Sequence, residues 1–211
     1  MHKKKYQSII SHYEFCLEKY GDTYMGVDWP NINDVEKRYE IMLQVIKPIM
    51  SGKTYLLDFG CGASHLYEYL LRNHLLDKID YSGLDLSEKF ISLSKSKFPD
   101  INFYCQDILD GHSNLPEFDY IIMNGVFTEK CDLSFLEMLS YFKKTLARVF
   151  TKTRIGLAFN VMSKQVDYER SDLFHLSFDI LTNFISKNLT RNFIIRHDYG
   201  LYEYTVYVYK H

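Results

Sequence analysis

An acidic residue and two glycines stand at alternate positions near the middle of the first half of the chain, as Asp58, Gly60 and Gly62. They follow the apolar run 55–57 and precede an amphipathic segment over 65–76 with helical spacing. Glycine adopts backbone conformations closed to residues with a Cβ, and it leaves room for a ligand to lie on the main chain. Such a ligand also meets the positive end of the following helix. The pattern therefore predicts a strand, a ligand-binding turn and a helix.

The residues of this turn can be compared with three other interpretations. A dinucleotide fingerprint, G-x-G-x-x-G, requires a third glycine where this chain has His65, and a histidine there would hinder close packing of helix on strand. A Walker loop is excluded, because no G-K-S or G-K-T follows. An ordinary turn of some other α/β protein remains open, since short glycine motifs arise often by chance.

A second acidic residue, Asp85, follows Gly62 by 23 positions, from 62 to 85. It comes at the end of a predicted strand over 79–85. In nucleotide-binding α/β folds an acid about 20 residues beyond the glycine turn binds ribose hydroxyls. A carboxylate suits this contact because it accepts hydrogen bonds from two neighbouring hydroxyls at once. The spacing favours a ribose-binding role for Asp85 over that of an ordinary loop acid.

Helical and strand patterns alternate along the chain, and this predicts an α/β fold with a mostly parallel sheet. The chain ends in two strand-like segments joined by a short turn with a glycine, which predicts a β-hairpin. About 50 residues precede the first strand, so we expect a helical extension or lid over 1–50 and a main domain over 51–211. The predicted strands are 55–58, 79–85, 101–105, 118–124, 155–160, 192–196 and 202–209, and the predicted helices are 6–20, 33–49, 64–76, 87–98, 132–149 and 178–189.

Composition limits the classes of function. The 211 residues carry a formal net charge of −2, so no overall positive field indicates nucleic-acid binding. No apolar run reaches the ~18 residues of a membrane span, and the first residues lack the features of a signal peptide. The four cysteines show no C-x-x-C spacing, which predicts reduced thiols in a cytoplasmic protein and no metal site.

The D-x-G-x-G pattern of Asp58, Gly60 and Gly62 resembles motif I of the class I S-adenosylmethionine-dependent methyltransferases, with Ser64 in place of the third glycine. The predicted order of five β/α units and a terminal antiparallel hairpin is similar to that family's Rossmann-like, doubly wound, seven-stranded sheet. The resemblance covers about residues 53–210. It implies S-adenosylmethionine as cofactor and S-adenosylhomocysteine as product, with cofactor contacts from Asp58, Gly60, Cys61, Gly62, Asp85, Leu86, Asp107 and Ile108, where Asp107 faces the adenine amino group.

The segment F-D-Y-I-I-M-N over 118–124 resembles motif IV of the same family, whose last positions border the cofactor sulfur and the substrate. The resemblance therefore implies that Asn124 and Gly125 contact the cofactor and that Val126 contacts the substrate. Asn124 departs from the Asn-Pro-Pro-Tyr or Asp-Pro-Pro-Tyr signature of enzymes that methylate nucleobase or glutamine amino groups. This difference argues against nucleic-acid base methylation.

The helical extension and the loop after the fifth strand are expected to close the site. In the lid, we expect Tyr24 and Arg38 to contact the cofactor, with the Arg38 guanidinium pairing with a carboxylate, and Trp29 to contact the substrate. The polar loop after residue 160 leaves the carboxyl edge of the sheet, where ligands of open α/β sheets bind. From this loop we expect Asp172 to contact the substrate, whereas Glu129 is expected to be an exposed loop residue.

These features predict a methyltransferase that acts on a small polar acceptor, such as a sugar or sugar-nucleotide derivative, with O-methylation favoured. An oxygen acceptor must lose a proton, and His175 is the candidate catalytic base because its loop leaves the ligand-binding edge. We expect neither a nucleic-acid nor a membrane partner. We expect the protein to be a monomer or a homodimer. Two alternatives remain open: a cofactor-binding regulatory protein without catalytic activity, and a nucleotide-cofactor oxidoreductase.

Overall fold

The computed structural model describes residues 6–48, 51–111 and 113–210. Its centre is an eight-stranded sheet in which the order is β3-β2-β1-β4-β5-β8-β7, with the short β6 beside β5. The strands β1 to β5 are parallel, and β8 pairs antiparallel with both β5 and β7. The strands are β1 (Thr54–Phe59), β2 (Ile79–Asp85), β3 (Asn102–Cys105), β4 (Phe118–Phe127), β5 (Thr153–Ser163), β6 (His175–Leu176), β7 (Phe193–Arg196) and β8 (Glu203–Tyr209).

Six α-helices and one 3₁₀ helix accompany the sheet. The α-helices are α1 (Gln7–Tyr20), α2 (Ile32–Leu43), α3 (His65–Arg72), α4 (Glu88–Lys97), α5 (Phe135–Thr151) and α6 (Phe178–Asn188), and the 3₁₀ helix is Tyr24–Val27. Ser134 begins α5 with a capping box, because its hydroxyl accepts from Glu137 N–H while the Glu137 carboxylate accepts from Ser134 N–H. Ser87 and Ser177 likewise cap α4 and α6.

Two hydrophobic clusters cover the two faces of the sheet. One joins buried residues of α5 and α6, such as Phe142 and Leu181, to strand residues such as Phe159. The other joins Val35 and Met42 of α2 to the other face of the strands. Helix α1 contributes Ile9 to the first cluster, so both N-terminal helices share the core of the sheet domain. The division into a lid over 1–50 and a domain over 51–211 stays a prediction, and its boundary lies partly outside the described residues.

The predicted seven-stranded Rossmann-like sheet with an antiparallel terminal hairpin is confirmed. The elements that differ from the sequence prediction include helix α2 and strand β6. Helix α2 ends at Leu43, whereas the sequence predicted an end near residue 49. Residue 49 itself lies outside the described residues. Pro48 disfavours helical backbone at the residue that precedes it. The two-residue strand β6 is too short to leave a periodic pattern, and it forms because residues 162–163 of β5 offer it a parallel partner. No helix among the described residues is long and apolar enough to cross a membrane.

Candidate active site

The glycine turn after β1 is held against the end of β2. The N–H groups of Gly60 and Cys61 both donate to the carbonyl oxygen of Leu84, at 2.7 and 2.9 Å. Gly60 has a φ of +78°, in the left-handed region that favours glycine. A Cβ on Gly60 would lie 2.7 Å from Cγ2 of Val126, so any side chain here would collide with the end of β4. The turn therefore keeps bare backbone facing the end of β4.

Asp85, at the end of β2, completes this turn. One of its carboxylate oxygens accepts a 3.0 Å hydrogen bond from Gly62 N–H, and the other accepts a 2.9 Å bond from Ser87 N–H. Burial raises the pKa of the Asp85 carboxyl group, whereas these backbone donors oppose the rise. The carboxylate thus ties the glycine turn to the N-terminus of α4, and each oxygen retains further capacity to accept a hydrogen bond.

A cavity opens beside this turn, at the carboxyl ends of β1, β2 and β4. Its empty volume is about 980 Å³, which includes the open mouth. Ligands of open α/β sheets bind at this edge. The structure brings together here ten of the residues predicted from the sequence, which are Trp29, Asp58, Gly60, Cys61, Gly62, Asp85, Leu86, Asn124, Gly125 and Val126.

Helix α1 supplies a wall that the sequence analysis did not predict. Tyr6, at its start, and Ile9, Ile10 and Tyr13, within it, all line the cavity. Tyr13 is partly buried, and its hydroxyl lies 3.4 Å from the carbonyl oxygen of Gly125, to which it donates. The mixed apolar pattern of 6–20 predicted the helix, but only packing onto the sheet shows which of its faces meets the cavity.

Asn124 places an amide in the cavity wall without a partner. Neither Nδ2 nor Oδ1 has a hydrogen-bond partner among the described residues, although both atoms are buried. A buried amide with no partner costs free energy, and such a group in a native protein calls for an explanation. Because Asn124 lines the cavity, a polar ligand that both donates and accepts would supply the missing hydrogen bonds.

Asp58 is a buried acid on the same wall. Tyr81 donates a 2.8 Å hydrogen bond to its carboxylate. Burial raises the pKa of Asp58 to about 7, and the nearby charge of Asp85 adds to this rise, while the Tyr81 bond opposes it. A buried carboxyl group without a cationic partner among the described residues is suited to a positively charged ligand group in the cavity.

A buried polar network supports the wall at Gly125. The N–H of Gly125 donates to Oδ1 of Asn160 at 2.8 Å, and Nδ2 of Asn160 donates to Oε1 of Glu203 at 2.9 Å. Nε of Arg38 donates to both Glu203 oxygens at 3.0 Å. The guanidinium carbon of Arg38 also lies 5.2 Å from the centre of the Trp29 ring.

This network corrects the role expected for Arg38. The guanidinium pairs with a carboxylate, as its chemistry led us to expect, but that carboxylate belongs to Glu203 and not to a ligand. Arg38 does not line the cavity; it supports Trp29, which does. The partner is 165 residues away in the sequence, so no local pattern reveals it.

Three other predicted contacts lie behind the cavity lining. The side chain of Asp107 accepts hydrogen bonds from the Tyr6 hydroxyl and from Leu109 N–H, and of these two partners Tyr6 lines the cavity. Ile108 is buried in the core. The Tyr24 ring packs edge-on against His65, with ring centres 5.0 Å apart, and it is His65 that lines the cavity.

His175 and Asp172, the predicted base and substrate contact, do not line the cavity. His175 is buried in β6, where its Nδ1 lies 2.6 Å from the carbonyl oxygen of Ser163. Asp172 forms an ion pair with Arg170, which lowers the pKa of its carboxyl group. Their loop does leave the carboxyl edge of the sheet, but the pairing of β6 with β5 turns His175 into the core. In this structure His175 therefore lies outside the cavity lining, and its catalytic role stays a prediction.

Glu129 differs from the exposed loop residue expected at its position. It is partly buried after β4, where its backbone forms a bridge with Leu173. Burial, followed by the charges of Asp28 and Asp172, raises the pKa of Glu129 to about 7. Burial, and after it the charge of the same carboxylate, raises the pKa of Tyr13, which lines the cavity. Three acidic residues, Asp28, Glu129 and Asp172, therefore lie near one another in the region beyond Tyr13.

Comparison with known proteins shows where the chain has relatives. A family described as a methyltransferase domain matches residues 57–149, which include the glycine turn, Asp85 and Asn124. A Mycobacterium tuberculosis protein (strain ATCC 25618 / H37Rv), named "Putative methyltransferase Rv1506c", is 28% identical over 158 residues. That alignment covers 72% of this chain and 91% of the relative.

Solved structures share the fold at low sequence identity. Magnesium protoporphyrin IX methyltransferase from Synechocystis PCC 6803, solved with bound S-adenosylmethionine, superposes with a TM-score of 0.66 at 14% identity, over 100% of this chain and 99% of the other. The plantazolicin methyltransferase BpumL, solved with S-adenosylhomocysteine and a pentazolic desmethylPZN analog, gives a TM-score of 0.61 at 15% identity, over 98% of both chains. These likenesses establish the fold, and their substrates differ widely.

Proposed function

We propose that this chain is a class I S-adenosylmethionine-dependent methyltransferase and that it transfers the cofactor's methyl group to a hydroxyl of a small, uncharged polar molecule such as a sugar. The observation that carries the proposal is the cavity at the carboxyl edge of β1, β2 and β4, with Asp85 bound to the glycine turn in its wall. This arrangement joins the two sequence features that the resemblance associated with the cofactor.

The lining residues suggest how the cofactor would lie. Asp85 and Leu86 would meet the ribose, and Asp107 would act on the adenine side through Tyr6. Asp58 and the Gly60–Gly62 turn would meet the amino-acid portion, where the cationic amino group offsets the cost of burying an ionised carboxylate. Aromatic faces attract a sulfonium cation. Seven aromatic residues line the cavity, and these are Tyr6, Tyr13, Trp29, Tyr39, Phe59, Phe90 and Tyr141.

The protein contributes to the reaction mainly by positioning the acceptor against the methyl donor. The acceptor oxygen attacks the methyl carbon, a carbon–oxygen bond forms, and the carbon–sulfur bond breaks with its electron pair passing to sulfur. The positive charge of the sulfonium makes the methyl group electrophilic, so holding the acceptor in line at near-attack distance lowers the barrier. The hydroxyl proton passes to water at the open mouth of the cavity, so the step balances without a protein base.

The acidic groups beyond Tyr13 bear on the choice of acceptor. Asp28, Glu129 and Asp172 lie near one another there, with Arg170 as the cation that most lowers the pKa of Glu129. Juxtaposed like charges disfavour binding. With no cation bound among these acids, a diphosphate of a sugar nucleotide would meet this repulsion, whereas an uncharged sugar or polyol would not. This feature favours the uncharged member of the two acceptor classes expected from the sequence.

The first experiment is a calorimetric titration of the protein with S-adenosylmethionine, S-adenosylhomocysteine and, separately, NAD(H). We expect micromolar binding of the first two and none of NAD(H). Transfer of a labelled methyl group is then measured with panels of uncharged sugars and sugar nucleotides. Failure to bind either sulfur compound would contradict the proposal, and NAD(H) binding would favour the oxidoreductase alternative. Binding without transfer to any acceptor would favour the regulatory alternative.

The pH dependence of cofactor binding tests the place of Asp58. Its pKa is raised to about 7 by burial, so at pH 5.5 the carboxyl group is mostly neutral and at pH 7.5 mostly ionised. A cationic cofactor group stabilises the ionised form, so affinity for S-adenosylmethionine should rise with pH through this window. Calorimetry at several pH values should show this slope in the wild type and a flatter profile in Asp58→Asn. An equal slope in both proteins would place the titrating group elsewhere.

A further inference from the structure

Three side chains that can bind a metal ion converge where α1 faces the turn after the 3₁₀ helix. Nε2 of His12 lies 2.8 Å from Oδ2 of Asp28 and 3.9 Å from Sγ of Cys16. The three donor atoms all lie within 4.8 Å of one another. We propose that His12, Cys16 and Asp28 form a binding site for Zn²⁺, in addition to the cofactor cavity.

Local structure fixes each of the three residues. His12 and Cys16 are four residues apart on α1, a spacing that puts both on one face of the helix. Asp28 caps the 3₁₀ helix in the left-handed conformation, with φ of 58° and ψ of 37°, and its N–H donates to the carbonyl of Met25. A non-glycine residue in this region is uncommon and often marks a functional site. The aspartate side chain is thereby held opposite the helix.

The geometry matches a metal site better than a catalytic relay. In a relay, the nucleophile and the acid contact different nitrogens of the histidine ring. Here both Cys16 and Asp28 face the same nitrogen, Nε2 of His12. Zinc bonds of about 2.0–2.3 Å in a tetrahedron put neighbouring donor atoms roughly 3.3–3.6 Å apart. The separations of 2.8 and 3.9 Å lie on either side of that range, so shifts of about half an ångström bring both pairs of donor atoms into it.

Charge, accessibility and ligand type favour a cation. Two carboxylates, Asp28 and Glu129, act electrostatically on Cys16, and Lys19 is the cation that opposes them there. The side chains of His12 and Asp28 are 35% and 36% exposed, which leaves a route for an ion, whereas Cys16 is buried at 5%. One nitrogen, one sulfur and one oxygen ligand form a set that suits zinc, and three protein ligands leave a fourth position for water.

A bound ion would link two walls of the cavity. Tyr13, next to His12, and Trp29, next to Asp28, both line it. The spacing of the cysteines predicts no metal site, because the chain has no C-x-x-C pattern. The three ligands are of three residue types and come from two elements, so only the fold brings them together.

The test measures metal binding without any cofactor, so its outcome is independent of methyl transfer. Zn²⁺ affinity is measured by competition with a chromophoric chelator, and Co²⁺ is added to record the near-ultraviolet thiolate-to-metal charge-transfer band. We expect one ion per chain. Cys16→Ser should weaken Zn²⁺ binding at least about tenfold and abolish the band, and His12→Ala and Asp28→Ala should each weaken binding similarly.

Two cysteine variants serve as matched controls. Cys105→Ser changes an exposed cysteine, and Cys131→Ser changes one that is also influenced by Glu129 and Asp28. Both should bind Zn²⁺ like the wild type, and circular dichroism without metal should show all variants folded. No saturable binding, or equal binding by Cys16→Ser and the wild type, would overturn the proposal and leave a His12–Asp28 ion pair only. Loss of the band in Cys131→Ser alone would overturn the ligand assignment.

Discussion

Asp85→Ala should reduce the affinity for S-adenosylmethionine and S-adenosylhomocysteine by about 10- to 100-fold. The substitution removes the acceptors of Gly62 N–H and Ser87 N–H together with the proposed partner of the ribose hydroxyls. A hydrogen bond to a charged group contributes about 1.5–3 kcal/mol, and each 1.4 kcal/mol corresponds to about tenfold in affinity. Calorimetric titration of both compounds measures the change.

Asp80→Ala is the matched control for this effect. Asp80 lies on the same strand, β2, but its side chain is exposed and away from the cavity, so its loss should leave the affinity unchanged. Asp85→Asn retains the size of the side chain and should also bind weakly, because its amide nitrogen would face one of the two backbone donors. If the affinity of folded Asp85→Ala equalled that of the wild type, the ribose assignment would be lost.

Glu203→Ala should lower the free energy of unfolding by about 3–5 kcal/mol, the range seen when one partner of a buried ion pair is removed. Glu203 is 2% exposed and accepts from Arg38 and from Asn160, which is fully buried. Without the carboxylate, a largely buried guanidinium and a buried amide each lose a partner. Urea denaturation of the protein without ligand measures the loss. A second expected effect is weaker cofactor binding, since Asn160 holds Gly125 in the cavity wall.

Asp198→Ala separates this effect from the general cost of breaking an ion pair. Asp198 pairs with Arg196, but its side chain is 65% exposed, and exposed pairs contribute about 0–1 kcal/mol. We expect the two variants to differ by at least about 2 kcal/mol on these grounds. A loss below about 1 kcal/mol in Glu203→Ala would show that the network contributes little to stability and that its role, if any, lies in positioning.

The features that sequence reasoning predicted well are local ones. The strand, turn and helix around Asp58, Gly60 and Gly62 depend on residues within a few positions of one another. Asp85 follows because the parallel pairing of β1 with β2 places the ends of both strands at one edge of the sheet. The terminal hairpin likewise shows its own periodicity. For such features, backbone conformation and alternation of apolar residues carry enough information.

The features that sequence reasoning missed depend on distant packing. Which face of α1 meets the cavity, and hence the placement of Tyr13, follows from how the helix lies on the sheet. His175 was expected at the site from its loop, but pairing with β5 buries it. Glu129 was expected to be exposed, but the bridge to Leu173 covers it. Each outcome is decided by contacts that a linear pattern does not encode.

The sheet, the glycine turn and the acids at the strand ends can all be predicted from the sequence alone. They follow from short-range propensity and from the geometry of parallel strands. Only the tertiary structure decided that Arg38 pairs with Glu203, that the amide of Asn124 lies buried without a partner, and that His12, Cys16 and Asp28 converge. Burial and electrostatic pairing depend on which distant side chains meet, so they exist only once the chain has folded.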